Sequence, residues 1–221
     1  MRGFDYRRLG DCLWDGEVVS LLSQIHEYKG RQDLFVSQRP SIVARLVEIA
    51  KVQSVESSNR IEGIVTTKAR IHSLMADKVT PRNRDEEEIM GYRDVLNTVH
   101  ENYEHITLTS HIVLQLHRDL YAYSHKGIGG QFKNVQNSII ERFADGSEVE
   151  RFKPLAPYET PSAIDEICQG VNAVLQDKSV DPLLVIPVFI HDFLCIHPFN
   201  DGNGRMSRLL MTLLLYQNGY M

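Results

Sequence analysis

His197-Pro198-Phe199-Asn200-Asp201-Gly202-Asn203-Gly204-Arg205-Met206-Ser207-Arg208 reads as a loop that runs straight into a helix N-terminus. Gly202 and Gly204 flank Asn203 and permit backbone conformations that aim consecutive N–H groups at one point, and the unpaired amides of the helix start deepen that concavity. Such a cradle favours an anion. Arg205 and Arg208, three apart on one helical face, suit further phosphate oxygens, and Asp201 is a hard oxygen ligand for Mg²⁺ bridging those phosphates. His197, at the loop entrance, has an ordinary pKa of about 6.5 and can take a proton from an incoming hydroxyl at neutral pH. Taken singly these signals are weak, since Asp201-Gly202 and Asn203-Gly204 are common turn dipeptides and a His before Pro is usually structural. A calcium loop starting at Asp201 fails at Arg205, Met206 and Thr212, and no Gly-Lys-Ser/Thr of a P-loop follows. The order His, acid, Gly-Asn-Gly, Arg, Arg therefore stands as one unit.

Outward from this segment the apolar spacing is helical. Asn203 to Gln217 is apolar nearly all round except where Arg205, Arg208 and Thr212 share a face, which predicts a helix in the middle of the domain. Asp181-Pro182 opens the helix before it, in which Pro187 either makes a kink or marks a later start. Thr160-Pro161 opens another, with Ile164, Ile167, Val171 and Val174 on one stripe, and Ser110 to Tyr121 forms a third ahead of the motif. Arg84 to Tyr103 is a fourth, and its Asp85-Glu86-Glu87-Glu88 run is expected to be a solvated first turn at the positive helix end. Ser41 to Gln53 is a fifth, with Pro40 suited to a first turn. One stretch differs. In Val135 to Phe152, Ser138-Ile139-Ile140 and Val149-Glu150-Arg151-Phe152 flank an Asp145-Gly146 turn signal, which predicts a β-hairpin inserted on an otherwise all-α domain.

Composition narrows the function. Among 221 residues, 24 Lys and Arg stand against 29 Asp and Glu, with no basic block, so direct nucleic-acid binding by this segment is not expected. The 43% apolar and 24% charged fractions are those of a folded globular domain. Cys12, Cys168 and Cys195 are scattered, without CxxC spacing, which suggests neither disulfides nor structural zinc and fits a cytoplasmic protein. No apolar segment follows Met1, and Leu183 to Ile190 is too short for a bilayer, so no membrane partner is expected. Met221 follows directly on an apolar helix, which raises the expectation of a further C-terminal domain. Nothing in the sequence fixes an oligomeric state.

As a unit, 197–208 resembles the signature of the Fic family (filamentation induced by cAMP), HPFx(D/E)GNGRxxR, and matches it at every fixed position. The resemblance runs from about Ser54 to Gln217, with Glu88-Ile89-Met90-Gly91-Tyr92 similar to the family's early core helix. It implies an all-α Fic fold, a helical bundle around the motif helix with a flap hairpin at about 135–152. It further implies an N-terminal helical region over 1–80 that includes an inhibitory helix, and a catalytic core over 81–221. The implied activity is that of a protein adenylyltransferase moving AMP from ATP, with Mg²⁺, onto a Ser, Thr or Tyr hydroxyl of a target protein or of the chain itself. By the same resemblance His197 is the general base and Asp201 the Mg²⁺ ligand. Gly202, Asn203 and Gly204 form the anion hole of the α-phosphate, Arg205 holds the β-phosphate and Arg208 the γ-phosphate. Gly204, where phosphorylating relatives carry Lys, favours nucleotidyl transfer. Phe199 is expected to anchor the loop in the core, Tyr216 is a candidate wall for adenine, and Lys133 departs from the Arg often found before the flap.

Ser57-Ser58-Asn59-Arg60-Ile61-Glu62-Gly63 alone reads as a helix end with a glycine cap. Beside the motif, Ser58-x-x-x-Glu62-Gly63 resembles the family's inhibitory sequence (S/T)xxxE(G/N), which implies that Glu62 pairs with Arg208 and keeps the γ-phosphate out. Two other readings use the same residues. Glu62 and His197 suit a de-AMPylase that aligns water on a modified target, and a non-catalytic nucleotide-sensing module needs only the binding residues.

Overall fold

Short polar side chains start most of the helices. Asp15, Thr67, Asn83, Thr109 and Asp181 each accept a backbone N–H from the first turn that follows, which satisfies an amide the helix leaves unpaired. The computed structural model describes residues 3–143 and 145–220, so expectations resting on Met1, Arg2 and Met221 lie outside it. Among the described residues the order is α1 (Gly16–Gln38), α2 (Pro40–Ile61), α3 (Lys68–Met75), α4 (Arg84–Asn102), α5 (Ser110–Leu120), β1 (Ile139–Arg142), β2 (Glu148–Phe152), α6 (Thr160–Asp177), α7 (Pro182–Ile196) and α8 (Asn203–Gln217). The fold is all-α with one antiparallel hairpin.

The centre is α8. Met206, Leu209, Leu210, Leu213 and Leu214 are buried from solvent, and α7, α4 and α2 pack around that helix. α4 also lies against α5 at unusually short range, because a Cβ on Gly91 would stand 2.0 Å from the Leu120 carbonyl oxygen. Any larger residue at 91 would push α5 away. The hairpin pairs Ile140 with Glu150 and Arg142 with Glu148 and is exposed on both faces. No helix among the described residues is long and apolar enough to cross a membrane.

Three elements differ from the sequence reading. α7 starts at Pro182 and continues through Pro187, which lies on its exposed side while Val185, Ile186, Phe189 and Phe193 hold the helix to the core. α2 extends past Gln53 to Ile61, because its second half, with Val55, Ser58 and Asn59 buried, is the half that packs on the core. The acidic run of α4 is the clearest correction. Glu86 and Glu88 are 3% and 2% exposed, not solvated, because each faces cations brought from outside its own helix. α1 and α3 carry no strong stripe in the sequence, and α1 leaves Val19, Leu21, Tyr28 and Leu34 exposed.

Candidate active site

The helix α7 ends at His197, which adopts left-handed backbone angles, φ 52° and ψ 63°, and donates its N–H to the Phe193 carbonyl at 2.9 Å. For a residue with a side chain this conformation costs about 1 kcal/mol or more, so the surrounding loop must hold it. Several bonds do so. Lys133 donates its backbone N–H to Pro198 O at 2.8 Å and its Nζ to Ile196 O at 2.8 Å, and Asn137 Nδ2 donates to Phe199 O at 3.2 Å. The segment before the flap therefore clamps both sides of His197. Burial holds this imidazole below its ordinary value, with the Lys133 charge adding to that, against the opposing effects of the Leu194 backbone and Glu62. His197 is thus neutral at pH 7.

Phe199 is the loop's anchor, as expected. It is fully buried, and its ring lies 3.6 Å from the ring of His117 at an interplanar angle of 2°. Asn203 closes the turn, accepting the Phe199 N–H at 2.9 Å and donating Nδ2 to the Phe199 carbonyl at 2.8 Å. Its side chain is spent on the loop, which leaves its backbone N–H for the cradle. His117 tightens the same region: its Nδ1 accepts from Gly130 N at 3.1 Å, so its Nε2 carries the proton and donates to the Asp201 carbonyl at 3.1 Å. Burial lowers His117 to about 4, which keeps that tautomer neutral. Phe199→Ala should destabilise the chain by about 3–5 kcal/mol, because it removes a buried ring and the stack on His117 together. Denaturant unfolding checks this, and a loss under about 1 kcal/mol would mean the loop is held by its hydrogen bonds alone.

At the start of α8, Gly202 has φ +86° and could not carry a side chain without meeting the Tyr121 ring, 3.0 Å from an added Cβ. Its N–H donates to Asp201 Oδ1 at 2.7 Å. The first turn-closing bond is Met206 N to Gly202 O, so the amides of Asn203, Gly204 and Arg205 come before the helical ladder begins. Those three, rather than 202–204, are the unladdered amides of the cradle.

Arg205 is 1% exposed, donates Nη2 to Tyr121 Oη at 2.7 Å and pairs with Glu88 Oε2 at 2.8 Å. Its Nε and Nη1 have no acceptor among the described residues. Glu88 also accepts from Arg84 Nε at 2.9 Å and from Lys126 Nζ at 3.1 Å. Burial would raise this carboxyl, but the three cations outweigh it and hold it below the usual carboxylate range. Lys126 Nζ continues to Asp201 Oδ2 at 2.6 Å, and this bond, with the charges of Lys126 and Arg205, likewise overrides burial and keeps Asp201 ionised. Glu88, Lys126, Tyr121 and His117 are not among the site residues expected from the sequence, where Glu88 stands only in the acidic turn and in the core-helix resemblance. The Arg84-x-x-x-Glu88 spacing was the one local signal for any of them.

The residues of the expected inhibitory sequence arrive from α2. Arg208 Nε donates to Ser58 Oγ at 2.6 Å, and its Nη2 donates to Ser58 O at 3.1 Å and to Glu62 Oε1 at 2.7 Å. Glu62 is the C-cap of α2, and Gly63 follows with φ +75°, the left-handed angle that ends a helix. The carboxylate lies against the cradle itself, because a Cβ on Gly204 would fall 2.3 Å from Glu62 Oε1. The chain after Gly63 is pinned to α4: Thr66 Oγ1 donates to Glu86 Oε1 at 3.0 Å and Arg70 Nε to the same oxygen at 2.9 Å. Arg70 pulls Glu86 down to about 2. Tyr216 packs edge-on against His100 and Tyr103, with centroids 5.5 and 5.7 Å apart.

A metal-holding group of three or more His, Cys, Asp or Glu side chains is absent among the described residues. The donor set is one ionised carboxylate, Asp201, beside an amide cradle. That fits Mg²⁺, which is commonly held by one or two carboxylates together with substrate phosphates rather than by a protein cage.

Residues 107–215 match the family model of the Fic/DOC family. The chain carries a Fic domain. Among curated relatives, it is 28% identical to "Protein adenylyltransferase Fic" of Drosophila mojavensis over 98% of this chain and 39% of that protein. It is 24% identical to the protein of the same name from Nematostella vectensis over 80% of this chain and 40% of the relative. The chain thus spans about two fifths of the length of these relatives. A Fic domain containing signaling protein from Bacteroides thetaiotaomicron superposes with a TM-score of 0.71 at 25% identity, covering 81% of this chain and 67% of the other. A Fic family protein from Desulfovibrio desulfuricans superposes at 0.73 and 21% identity, covering 92% and 58%. Within the matched residues the motif loop, the cradle, Arg205 and Arg208 lie together at the N-terminus of α8, and the α2 end carrying Glu62, which precedes them in the chain, meets them there.

Proposed function

We propose that this chain is a protein adenylyltransferase held back by Glu62. The observation that carries the reading is Arg205, buried at the start of α8 with two guanidinium nitrogens lacking an acceptor among the described residues, beside three unladdered amides and a neutral imidazole. Donors fixed in advance around one point stabilise charge that develops there, which is what transfer from a triphosphate requires.

In this reading the target's Ser, Thr or Tyr oxygen bonds to the α-phosphorus as the bond from that phosphorus to the α–β bridging oxygen breaks. The hydroxyl proton passes to His197. The amides of the cradle meet the charge on the α-phosphate, Arg205 holds the β-phosphate and Arg208 the γ-phosphate, and pyrophosphate leaves. Bound Mg²⁺ would neutralise the α- and β-phosphates, with Asp201 as its protein ligand. Glu62 opposes all of this by occupying Arg208 and placing negative charge at Gly204. Main-chain pairing along the exposed hairpin is the route by which a target segment would dock, which leaves the choice of target to features outside the site.

The test is label transfer from ATP marked at the α-phosphate, with Mg²⁺, to added protein or to the chain itself. Label should appear with Glu62→Gly and not with Glu62→Gly/His197→Ala. If no variant is labelled although ATP binds, the transferase reading is wrong, and release of AMP from a pre-modified protein distinguishes a de-AMPylase from a nucleotide sensor. A pH profile gives a further expected outcome. Because His197 is pushed below its ordinary value, the acid limb of the Glu62→Gly rate should fall below pH ~6.5, the unperturbed imidazole value. A limb at or above that pH would remove His197 from the role of base.

A further inference from the structure

We infer that Lys126 is a tethered counter-ion of Asp201 that a divalent cation must displace, and so sets the metal affinity of this site. The inference rests on the reading that Asp201 is the metal ligand. Lys126 lies between α5 and β1, and its ammonium reaches Asp201 Oδ2 at 2.6 Å, Glu88 Oε1 at 3.1 Å and the Tyr121 ring at 5.4 Å from the centroid. The loop is fixed on either side, by Lys126 N donating to Ser124 Oγ at 3.3 Å and by Gly127 at φ 63°. Both oxygens of Asp201 are engaged, since Oδ1 accepts the Gly202 N–H at 2.7 Å.

Mg²⁺ binds a carboxylate oxygen directly, at about 2.0–2.1 Å. A dication that close to Oδ2 would crowd an ammonium hydrogen-bonded to the same oxygen, and the two charges would repel in a half-buried pocket. The ammonium must therefore leave Asp201 as the metal arrives. It keeps Glu88 as a partner, and Glu88 keeps Arg84 and Arg205 when Lys126 is gone, so the exchange breaks one ion pair and no others. The metal alone gains little from a single carboxylate that already has a cation. The metal carried on a polyphosphate brings the negative charge that makes up for the displaced lysine. Lys126 thus biases the site against free Mg²⁺ and towards the metal–nucleotide complex.

Manganese titration followed by electron paramagnetic resonance tests this on the full chain in the Glu62→Gly background, with ADP as the nucleotide. Lys126→Met and Lys126→Gln should each tighten Mn²⁺ binding roughly five- to tenfold with ADP present, the effect expected of one part-buried ion pair. Lys126→Arg, which keeps the charge, should stay within about twofold of the parent. Unchanged or weaker Mn²⁺ binding in folded Met and Gln variants would overturn the inference. Should those variants fail to fold, ¹⁵N-lysine NMR of the unsubstituted side chain decides it: the Lys126 Nζ resonance should shift when Mg²⁺ and ADP saturate the site, and a resonance that stays put overturns the proposal. The underlying reading fails separately. Loss of ADP binding from the parent would contradict the phosphate cradle, and full Mn²⁺ affinity in Asp201→Ala would remove the metal from Asp201 and overturn the Lys126 role with it.

Discussion

Replacing Glu62 with glycine should raise AMP transfer by roughly 5- to 150-fold, the range of a coupling free energy of about 1–3 kcal/mol. The ion pair with Arg208 is not strong in itself, because its partners are 25% and 36% exposed and such pairs contribute about 1 kcal/mol or less. The effect comes from position. Glu62 Oε1 takes Arg208 Nη2 at 2.7 Å, and the same oxygen stands where it would touch any side chain at 204. A triphosphate approaching productively would lose one guanidinium and meet a like charge. The substitution should leave the fold intact, since Glu62 is a helix C-cap at φ −88° and ψ 7°, angles open to glycine. Initial rates with labelled ATP measure the gain, and the affinity for ATP should rise as well, because Arg208 is freed from its competing carboxylate. An unchanged rate, in a protein whose His197→Ala variant is inactive, would show that the contact is structural only.

The second large effect is at His197. In the Glu62→Gly background, His197→Ala should lower the rate about 10²–10⁴-fold, the contribution of a positioned general base. Backbone strain complicates alanine here, because residue 197 sits at φ 52°. Asparagine visits that region more readily and is not a base at neutral pH, so His197→Asn should lose as much activity while keeping the melting temperature. ATP affinity should hold in both variants. A loss of ATP binding equal to the loss of rate would mean that His197 shapes the cradle instead of accepting the proton.

Most of the catalytic half was legible because its signals are local. Asp181 and the 160–161 pair mark helix starts directly, α8 is apolar nearly all round because it is the centre, and the 197–208 unit keeps its chemistry in twelve consecutive residues. What failed depended on distant partners. Glu86 and Glu88 look like a solvated acidic turn until Arg70 and Lys126 fold over them, and neither cation is near them in sequence. His117 reads as an ordinary helical histidine, since its stack on Phe199 links residues far apart in the chain. α1 escaped notice because many of its apolar side chains remain exposed, which blurs the one-sided stripe that announces a helix.

The contact between Glu62 and the bare backbone of Gly204 ties two positions together over generations. A single codon change that gave residue 204 any side chain would evict the carboxylate from its place, because an added Cβ would lie 2.3 Å from Oε1. Under the proposed reading, a descendant exploring new chemistry through position 204 would also disturb the contact by which Glu62 restrains the site, so the two positions would have to change together.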